Sequence, residues 1–529
     1  MPSRALALGA ALVALLTIGG STVLAADFPA KDSKYHDYAE MVDVLMATQA
    51  AHPDIVQVST IGQSYQGRDL YVVKISDNVA TDENEPEVLF DSLHHAREHL
   101  SLEQSLAILG WLANGYGHDA RITRIVDSTE IWIIPSVNPD GAEYDLTGNP
   151  YREWRKNRQP NSGSSSIGTD LNRNYGYRFG CCHGSSSSKS ASTYRGPKAF
   201  SAPETQAVRD FILSRRIDGF QQIKLAVTFH TAGEQILWPY GYTRTDVPAD
   251  MTKDDHASLV ALARRIAARN GYTAMQSSSL YVTDGDEIDW AYGSQRIWMF
   301  TMELYPSHAK VSSLQRFYPP DEVIARETLR NKSAILDFLE HAACPYAVIH
   351  KTREDCGPFF DDFEIARGWK TDPLGTDTAT GGAWARANPV ATSYQAGTVP
   401  SGSRALVTGG AGGTASANDV DGGTTTVRSA PIVLPATTGD LTFRYSFAHS
   451  SSSGPDDAFR AYVEAEDGTR TKVRQELGSA TTDKPSWRTV TVSLDRWAGQ
   501  TIRIVFEAVD AGRASTVEAA VDDVRVTRP

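Results

Sequence analysis

The segment that most constrains the fold of this chain is residues 92–99, Ser-Leu-His-His-Ala-Arg-Glu-His. It follows a compact, largely apolar run at residues 86–91 and precedes an apolar-periodic segment at residues 102–113. This pattern predicts a buried strand, a polar turn and a helix. Open α/β proteins place their chemistry in turns at the carboxyl ends of sheet strands. Three histidines, an arginine and a glutamate there favour a functional site.

Two metal-binding interpretations compete for this turn. In the first, His95 and Glu98 are two ligands, and the third comes from a distant part of the chain. In the second, His95, Glu98 and His99 form an H-x-x-E-H motif, in which both histidines bind zinc and the glutamate is a general base. That motif requires a helix, so that both histidines share one face. Because these residues directly follow a strand-like run, the first interpretation is favoured. A third interpretation involves no metal: the segment is a surface turn without a function.

Length and charge narrow the class of protein. The 529 residues predict two folded domains, since a single core rarely grows so large. Hydrophobic residues make up 41% of the chain and charged residues 22%, which is typical of globular proteins. The formal net charge of -13 argues against nucleic acid and anionic membrane surfaces as partners.

The N-terminus has the pattern of a secretory signal peptide. Arg4 precedes an apolar run at residues 5–18, and small residues lead to Ala26. No other segment is long and apolar enough to span a bilayer. We therefore expect residues 1–26 to be removed and the remaining protein to be secreted, without membrane insertion.

Strand and helix patterns alternate over residues 27–345. Predicted helices cover residues 37–51, 201–216 and 321–341, and predicted strands cover residues 55–61, 69–76, 130–137, 224–229 and 297–302. Ser201 and Glu204 have the spacing of a capping box, and residues 138–141 form a turn sequence. The prediction is an α/β domain with a mixed central sheet and helices on both faces.

The composition changes after a short connection, residues 346–356. Residues 357–529 are rich in Gly, Thr, Ser and Ala, and short alternating runs appear at residues 441–447 and 501–506. No helical period is visible. We therefore predict an all-β sandwich of jelly-roll type for this segment.

Polar groups stand at the ends of three predicted strands. His95 and Glu98 follow the first, His230 ends the second and Glu303 ends the third. A catalytic zinc ion takes three protein ligands and leaves one position for water. His95, Glu98 and His230 are a suitable set, and Glu303 can then act as general base.

Residues 27–345 resemble zinc carboxypeptidases of the carboxypeptidase A type, and most closely the bacterial carboxypeptidase T group. The motifs that carry the resemblance occur in the family's order and span most of the domain. They are His95-Ala-Arg-Glu98, Trp154-Arg155-Lys156, Asp170-Leu-Asn-Arg-Asn174, Phe229-His230, Pro239-Tyr-Gly-Tyr242, Leu280-Tyr281 and Phe300-Thr-Met-Glu303.

The resemblance implies one catalytic zinc ion, held by His95, Glu98 and His230. Asp170 matches the family carboxylate that accepts a ring N–H from His95 and fixes its tautomer. Arg155 would stabilise the oxyanion of the tetrahedral intermediate. An alternative is that Arg155 belongs to a solvated, charged surface run.

The same resemblance implies how a substrate is held. Asn172 and Arg173 would bind the terminal carboxylate, which a guanidinium group matches with two hydrogen bonds. Tyr281 would close over the same end, and Arg97 would line the approach for the upstream peptide. The alternative for Asn172 and Arg173 is an ordinary turn, and for Tyr281 an ordinary loop aromatic.

Two further positions bear on which terminal residue is accepted. Ile288 falls where family members that prefer hydrophobic ends carry an apolar residue. Asp286 matches an acidic residue of the carboxypeptidase T group, which accepts both hydrophobic and basic ends. An apolar wall can contact the stem of Lys or Arg while a carboxylate pairs with its charge. We therefore expect dual specificity.

No folded activation segment is expected. Residues 34–38 resemble the start of the mature domain and come only a few residues after the predicted cleavage site. The enzyme is therefore expected to be exported active, or to be restrained by something other than its own N-terminus.

Four cysteines in an exported protein suggest disulfides. Cys344 and Cys356 are close in sequence and would close one loop. Cys181 and Cys182 are adjacent, and are either bonded to each other or remain thiols.

Paired acidic residues stand at both ends of the predicted sandwich, within residues 359–364 and 521–524. Oxygen ligands of this kind suit a structural calcium ion. Solvated loop carboxylates are an equal alternative. The segment resembles jelly-roll domains appended to secreted bacterial hydrolases, which identifies no ligand.

The hypothesis that accounts for these features is a secreted, monomeric zinc carboxypeptidase acting on peptides and proteins with a free C-terminus. A second hypothesis is a cell-wall peptide amidase on the same fold. A third is a non-catalytic matrix- or glycan-binding protein. Asn172, Arg173 and Arg155 favour the first hypothesis over the second. The presence of Glu303 and all three proposed zinc ligands argues against the third.

Overall fold

The structure is a computed structural model that describes residues 27–83, 85–217, 220–307, 315–410, 414–415 and 419–529. The predicted signal peptide lies outside the described residues. No helix within the described ranges is both long and apolar enough to cross a membrane.

The N-terminal part combines strands and helices. Its strands are β1 Val56–Gln63, β2 Asp69–Ile75, β3 Glu87–Ser92, β4 Glu130–Ile134, β5 Arg216–Ile217, β6 Phe220–Gln221, β7 Ile223–Thr231, β8 Gln235–Trp238, β9 Thr273–Gln276 and β10 Trp298–Leu304. Its helices are α1 Tyr38–Ala51, α2 Leu100–Gly115, α3 Ala120–Val126, α4 Pro139–Leu146, α5 Pro203–Ser214, α6 Lys253–Asn270, α7 Ser277–Leu280, α8 Glu287–Gln295, α9 Ile324–Leu339 and α10 Thr352–Asp355. Short 3-10 turns cover Ala30–Asp32, Leu171–Arg173, Gln315–Phe317, Asp321–Val323, Pro345–Ile349 and, near the C-terminus, Asp495–Trp497.

Eight strands form one mixed sheet in the order β1-β2-β4-β3-β7-β10-β8-β9. Strands β3, β7 and β10 are parallel neighbours, so their carboxyl ends meet at one edge. The register pairs Glu303 with His230 and Ser92 with Phe229. The sheet therefore brings residues more than 200 positions apart in sequence to one place.

Apolar clusters cover both faces of this sheet. On one face, residues of α1, α2, α6 and α9 pack against the strands, among them Leu45, Leu109 and Leu262. On the other, residues of α5 and α8 do so, including Val208 and Trp290. The predicted α/β architecture is confirmed.

Two local predictions are wrong. Residues 138–141 do not form an isolated turn: Asn138 caps α4, its side chain accepting a hydrogen bond from Gly141 N. Ser201 and Glu204 do not form a capping box at α5. Glu204 instead accepts hydrogen bonds from Tyr65 N and from Asn157 Nδ2.

The C-terminal part consists of antiparallel strands. They are β11 Phe359–Asp361, β12 Lys370–Thr371, β13 Trp384–Ala387, β14 Ala405–Thr408, β15 Gly423–Arg428, β16 Ile432–Val433, β17 Asp440–His449, β18 Ala458–Ala465, β19 Arg470–Leu477, β20 Arg488–Ser493, β21 Thr501–Asp510 and β22 Val517–Val526. One sheet runs β13-β14-β22-β17-β20 and the other β12-β15-β21-β18-β19. Side chains of both sheets, such as Phe443 and Phe506, share one apolar cluster. The predicted β-sandwich is confirmed.

Contacts join the two parts of the chain. The rings of Phe220 and Phe359 pack with centroids 5.2 Å apart. The guanidinium of Arg296, at the end of α8, lies 3.9 Å from a carboxylate oxygen of Asp362. Because both of these charged side chains are buried, this pair is well shielded from solvent.

Both cysteine pairs form disulfides. Cys344 bonds to Cys356, as predicted, and encloses α10. Cys181 bonds to its neighbour Cys182, which resolves the alternative left open by the sequence.

Candidate active site

His95, Glu98 and His230 converge at the carboxyl edge of the sheet. Nδ1 of His95 lies 2.9 Å from Oε1 of Glu98, and Nδ1 of His230 lies 2.8 Å from Oε2. The two Nδ1 atoms are 3.0 Å apart. All three side chains are buried. Two imidazole nitrogens and one carboxylate facing a common point fit the donor set of a catalytic zinc ion.

The backbone after β3 explains this convergence. Leu93 adopts a left-handed conformation (φ 60°), which turns the chain at the strand end. Such a conformation costs a non-glycine residue about 1–2 kcal/mol and persists where surrounding contacts enforce it. Leu93 N donates to Ser101 Oγ, and Ser101 Oγ donates to the carbonyl of Glu98. Helix α2 thus holds the turn.

The H-x-x-E-H interpretation is wrong. Residues 93–99 are not helical, and α2 begins only at Leu100. The ring of His99 points elsewhere, with Nε2 3.0 Å from Oδ2 of Asp145. His99 therefore lies outside the cluster formed by His95, Glu98 and His230.

Asp170 binds the outer nitrogen of one candidate ligand. Its Oδ1 lies 3.1 Å from Nε2 of His95. An ionised carboxylate can only accept, so the ring proton sits on Nε2 and Nδ1 presents a lone pair toward the cluster. His230 has a different outer contact: its Nε2 lies 3.2 Å from Nδ2 of Asn172.

Arg155 lies beside the cluster and shares Asp170 with it. Its Nε donates to Asp170 Oδ2 at 3.0 Å, and its Nη1 lies 4.0 Å from Glu98 Oε1. Burial disfavours the charged guanidinium, but Asp170, Tyr281 and Glu98 together outweigh this and raise the pKa of Arg155. A permanently charged donor therefore stands next to the candidate metal position.

Glu303 ends β10 opposite the cluster. It is partly buried, and loss of hydration together with the negative charge of Glu98 raises the pKa of Glu303 well above its usual range. The guanidinium groups of Arg155 and Arg173 oppose this shift. A carboxylate whose pKa lies closer to neutrality is better suited to move protons.

Asn172 and Arg173 lie on the 3-10 turn Leu171–Arg173, directly after Asp170. Asn172 Oδ1 accepts from Glu287 N at the start of α8. Arg173 is 2% exposed, and its guanidinium carbon lies 5.9 Å from the ring centroid of Tyr281. Tyr281 is 50% exposed, so its ring stands at the surface above the buried arginine.

Asp286 and Ile288 lie at the start of α8 and are both buried. Asp286 caps the helix, because Oδ1 accepts from Asp289 N at 3.0 Å, and Oδ2 accepts from the hydroxyl of Thr283. Burial raises the pKa of Asp286, while the charge of Arg173 opposes the shift. Ile288 is 2% exposed within the apolar cluster that α8 forms on the sheet.

Arg97 lies on the outer side of the turn. Its Nη1 donates to the carbonyl of Glu153 at 3.3 Å, and its guanidinium carbon lies 4.0 Å from the ring centroid of Phe317. These contacts hold Arg97 against two separate loops.

The sequence provided no role for His94, which is fully buried. Its Nε2 lies 2.8 Å from the hydroxyl of Tyr175 and 3.3 Å from Glu287 Oε2, and its Nδ1 lies 3.4 Å from Asp91 Oδ1. These contacts connect β3 to the start of α8. The doubled histidine in the turn was the only sequence signal, because its partners are far apart in the chain.

The fold and site together define an α/β metallohydrolase with a two-histidine, one-carboxylate centre. A family profile described as "Zinc carboxypeptidase" matches residues 41–334. A zinc carboxypeptidase from Saccharothrix mutabilis subsp. capreolus is 48% identical over 326 residues, which cover 62% of this chain and 74% of that protein. The chain belongs to the zinc carboxypeptidase family.

Two further similarities come from different branches of the family. Carboxypeptidase B2 from Rattus norvegicus is 35% identical over 278 residues, covering 51% of this chain and 63% of that protein. The crystal structure of carboxypeptidase A from Helicoverpa armigera has a TM-score of 0.52 and 25% identity, covering 60% of this chain and 75% of that one. The chain is thus similar to proteins named for both the A and the B type.

Replacing Asp170→Asn is expected to weaken zinc binding by about 10- to 100-fold, because the variant cannot hold His95 in the required tautomer as a carboxylate does. Competition with a chelating indicator measures this affinity. Asp140→Asn is the matched control: Asp140 is buried and accepts hydrogen bonds from Ser64 and Gln66. Equal losses of zinc affinity in both variants would contradict the role of Asp170.

Proposed function

We propose that this protein is a secreted, monomeric zinc carboxypeptidase that removes single residues from the C-termini of peptides and proteins. The observation that carries this proposal is the buried convergence of His95, Glu98 and His230 beside Arg155 and Glu303. The apolar N-terminal segment and the two disulfides support export.

His95, Glu98 and His230 are the proposed zinc ligands. Zinc bound there would supply a Lewis acid that polarises the scissile carbonyl and lowers the pKa of a coordinated water. Asp170 would hold the ring of His95 in the orientation that a ligand to this ion needs.

The proton transfers are assigned to Glu303. Its carboxylate accepts a proton from the attacking water and then delivers it to the leaving amine. Arg155 donates hydrogen bonds to the oxyanion that develops on the substrate carbonyl. The shared carboxylate of Asp170 orients the guanidinium for that contact.

Recognition of the free terminus is assigned to Asn172, Arg173 and Tyr281. The guanidinium of Arg173 binds the terminal carboxylate, and the exposed ring of Tyr281 closes over it. Arg97 contacts the peptide upstream of the scissile bond. A carboxylate requirement of this kind confines cleavage to chain ends.

The specificity for the terminal side chain is assigned to Asp286 and Ile288, with both hydrophobic and basic residues accepted. The negative charge of Asp286, close enough to Arg173 for the two to interact, supports binding of a basic side chain. Resemblance to both A-type and B-type relatives is compatible with a mixed pocket.

Two blocked dipeptides, one ending in Phe and one in Arg, test the proposed activity with and without chelator. We expect zinc-dependent release of both residues, at rates within about tenfold of each other. Asp286→Asn should slow release of Arg while leaving release of Phe nearly unchanged, because only the basic side chain needs the carboxylate.

Several outcomes would contradict this proposal. Strong preference of the parent enzyme for Phe would remove Asp286 from the specificity assignment. No release of either residue by zinc-loaded protein, with cleavage of a peptide ending in a D-residue, would favour the cell-wall amidase hypothesis.

The pH profile tests Glu303. Because the base must be ionised, kcat/KM should fall as pH decreases through the raised pKa of Glu303, well above pH 4.5. Glu303→Gln should lower kcat by about 10²- to 10⁴-fold while retaining zinc. Zinc content is measured at each pH, since protonation of the histidines would release the ion. An acid limb near pH 4.5 with zinc retained would overturn the assignment.

A structural calcium ion is proposed for the β-sandwich. Strand pairing sets Asp361 opposite Val524, which brings the two acidic pairs near each other. Asp362 and Asp522 are both buried, and burial together with the charge of Asp523 raises the pKa of Asp522 to about 9. A bound cation would relieve this unfavourable charge.

The ligand set for such an ion is incomplete in side chains alone. Among the described residues, no group of three His, Cys, Asp or Glu ligand atoms within 4.8 Å lies after residue 357. Backbone carbonyls and water would therefore complete the coordination, as calcium allows.

Scanning calorimetry at about pH 5 and pH 8 tests calcium and the domain division together. The raised pKa of Asp522 means that the folded sandwich binds its proton more tightly than the unfolded chain does. Stability should therefore fall as pH rises from about 4 to 9, and calcium should restore it at the upper end.

The unfolding transition of residues 357–529 should move with calcium, and that of residues 27–345 should not. Asp522→Asn should abolish the calcium effect and reduce the pH dependence, to which Asp361 and Glu518 also contribute because burial raises their pKa values. An identical transition with and without calcium at pH 8 would refute the calcium site, and a single merged transition would argue against two domains.

A further inference from the structure

Asp284 is a fully buried carboxylate that the proposed mechanism does not use. Its Oδ2 accepts hydrogen bonds from the backbone N–H groups of Cys182 and Gly184, at 3.0 and 2.8 Å. Its Oδ1 accepts from the hydroxyl of Ser185. The segment 181–185, here called the vicinal loop, is also restrained by the Cys181–Cys182 disulfide. One buried carboxylate thus fixes three of its five residues.

The vicinal loop contacts Arg173 on its other side. The carbonyl of Gly184 accepts a hydrogen bond from Arg173 Nε at 3.2 Å. Nη1 of Arg173 donates to the carbonyl of Asn172. Backbone carbonyls therefore hold the guanidinium through Nε and Nη1. Nη2 carries two further N–H donors.

Close packing of backbone on backbone makes this contact rigid. A Cβ placed on Gly184 would lie 2.2 Å from the carbonyl carbon of Thr283 and 2.6 Å from Asp284 N. A Cβ placed on Gly285 would lie 2.6 Å from the carbonyl oxygen of Arg173. No side chain fits in either position, so Arg173, the vicinal loop and residues 283–285 are held at fixed distances.

We propose that Asp284, acting through the vicinal loop, positions Arg173 for the α-carboxylate of the substrate. Binding a carboxylate with two hydrogen bonds requires the plane of the guanidinium to be set in advance. A displacement of about 1 Å can reduce an enzyme's efficiency by about 10²-fold. Asp284 is thus a positioning residue for recognition of the free terminus, and this inference rests on the proposed carboxypeptidase function.

Steady-state kinetics of Asp284→Asn and Gly184→Ala test the proposal. Asparagine retains one acceptor oxygen but turns an NH₂ group toward the N–H donors of the loop. Alanine at position 184 would push the loop away from Thr283. In both variants KM for a peptide with a free C-terminus should rise about tenfold or more, with kcat within about threefold of the parent.

Product inhibition gives a second readout that general loss of structure would not imitate. A free L-amino acid, such as phenylalanine, should inhibit the variants more weakly by the same factor as the rise in KM. Phenylalanine amide, which lacks the carboxylate, should inhibit parent and variants equally. If inhibition by the free acid and inhibition by the amide weaken equally, the proposal that Asp284 positions Arg173 is overturned.

The β-sandwich offers matched controls. Asp457 is also buried and accepts from two backbone N–H groups, of Gly454 and Ala511, and from the hydroxyl of Ser515. A Cβ placed on Gly454 would meet no atom within 4 Å, so alanine fits there. Asp457→Asn and Gly454→Ala should leave KM and inhibition by the free acid unchanged.

Failure of the proposed carboxypeptidase function and failure of the positioning role of Asp284 give different results. If zinc-loaded parent enzyme releases no terminal residue, the proposed function fails. If the parent is active but Asp284→Asn, confirmed as folded, raises KM no more than Asp457→Asn does, the positioning role fails and the proposed function stands.

Discussion

The candidate active site is organised around one buried carboxylate, Asp170, which contacts both a proposed zinc ligand and a guanidinium group. Asp170 contacts the ring of His95 through one oxygen and the guanidinium of Arg155 through the other. Burial opposes its ionisation, but these two partners lower the pKa of Asp170 far below its usual range. Removing the charge would leave a buried arginine without its partner, which is strongly destabilising. The proposed zinc ligand His95 and the proposed oxyanion donor Arg155 are therefore oriented by the same carboxylate.

The pKa values of two other carboxylates in the site, Glu98 and Glu303, are shifted in opposite directions. His95 and His230 lower the pKa of Glu98, against the effect of burial. Glu303 faces the negative charge of Glu98, and its pKa is shifted upward. The environment thus keeps the carboxylate of Glu98 ionised, whereas the raised pKa of Glu303 suits its proposed role in proton transfer. Glu303 lies on β10 and Glu98 follows β3, and both strands pair in parallel with β7.

Strand-end residues were predictable from sequence because each apolar run ends visibly in a polar group, as at His230 and Glu303. The capping box predicted from the spacing of Ser201 and Glu204 is absent, because Glu204 accepts a hydrogen bond from Tyr65 N, 139 residues away. A long-range partner replaced the local cap there, and sequence spacing carries no information about it.

The same limit applies to side chains whose partners come from several loops. The contacts of His94 depend on the placement of α8 against β3, which the sequence pattern does not define. The role of Asp284 follows only from the packing of two loops that are 100 residues apart. Family resemblance names the residues that meet substrate, whereas the groups that hold them in place become visible in the folded structure.

The turn that follows Asp170 places residues proposed for catalysis and for recognition on one short segment. In a 3-10 turn successive side chains diverge by about 120°. Leu171 enters the apolar cluster on the sheet, Asn172 contacts His230 and α8, and Arg173 meets the vicinal loop. A rotation of this single turn would displace a metal-ligand contact and the carboxylate donor together. If both proposed roles hold, this short, buried segment fixes the distance between the metal position and the group that binds the chain end.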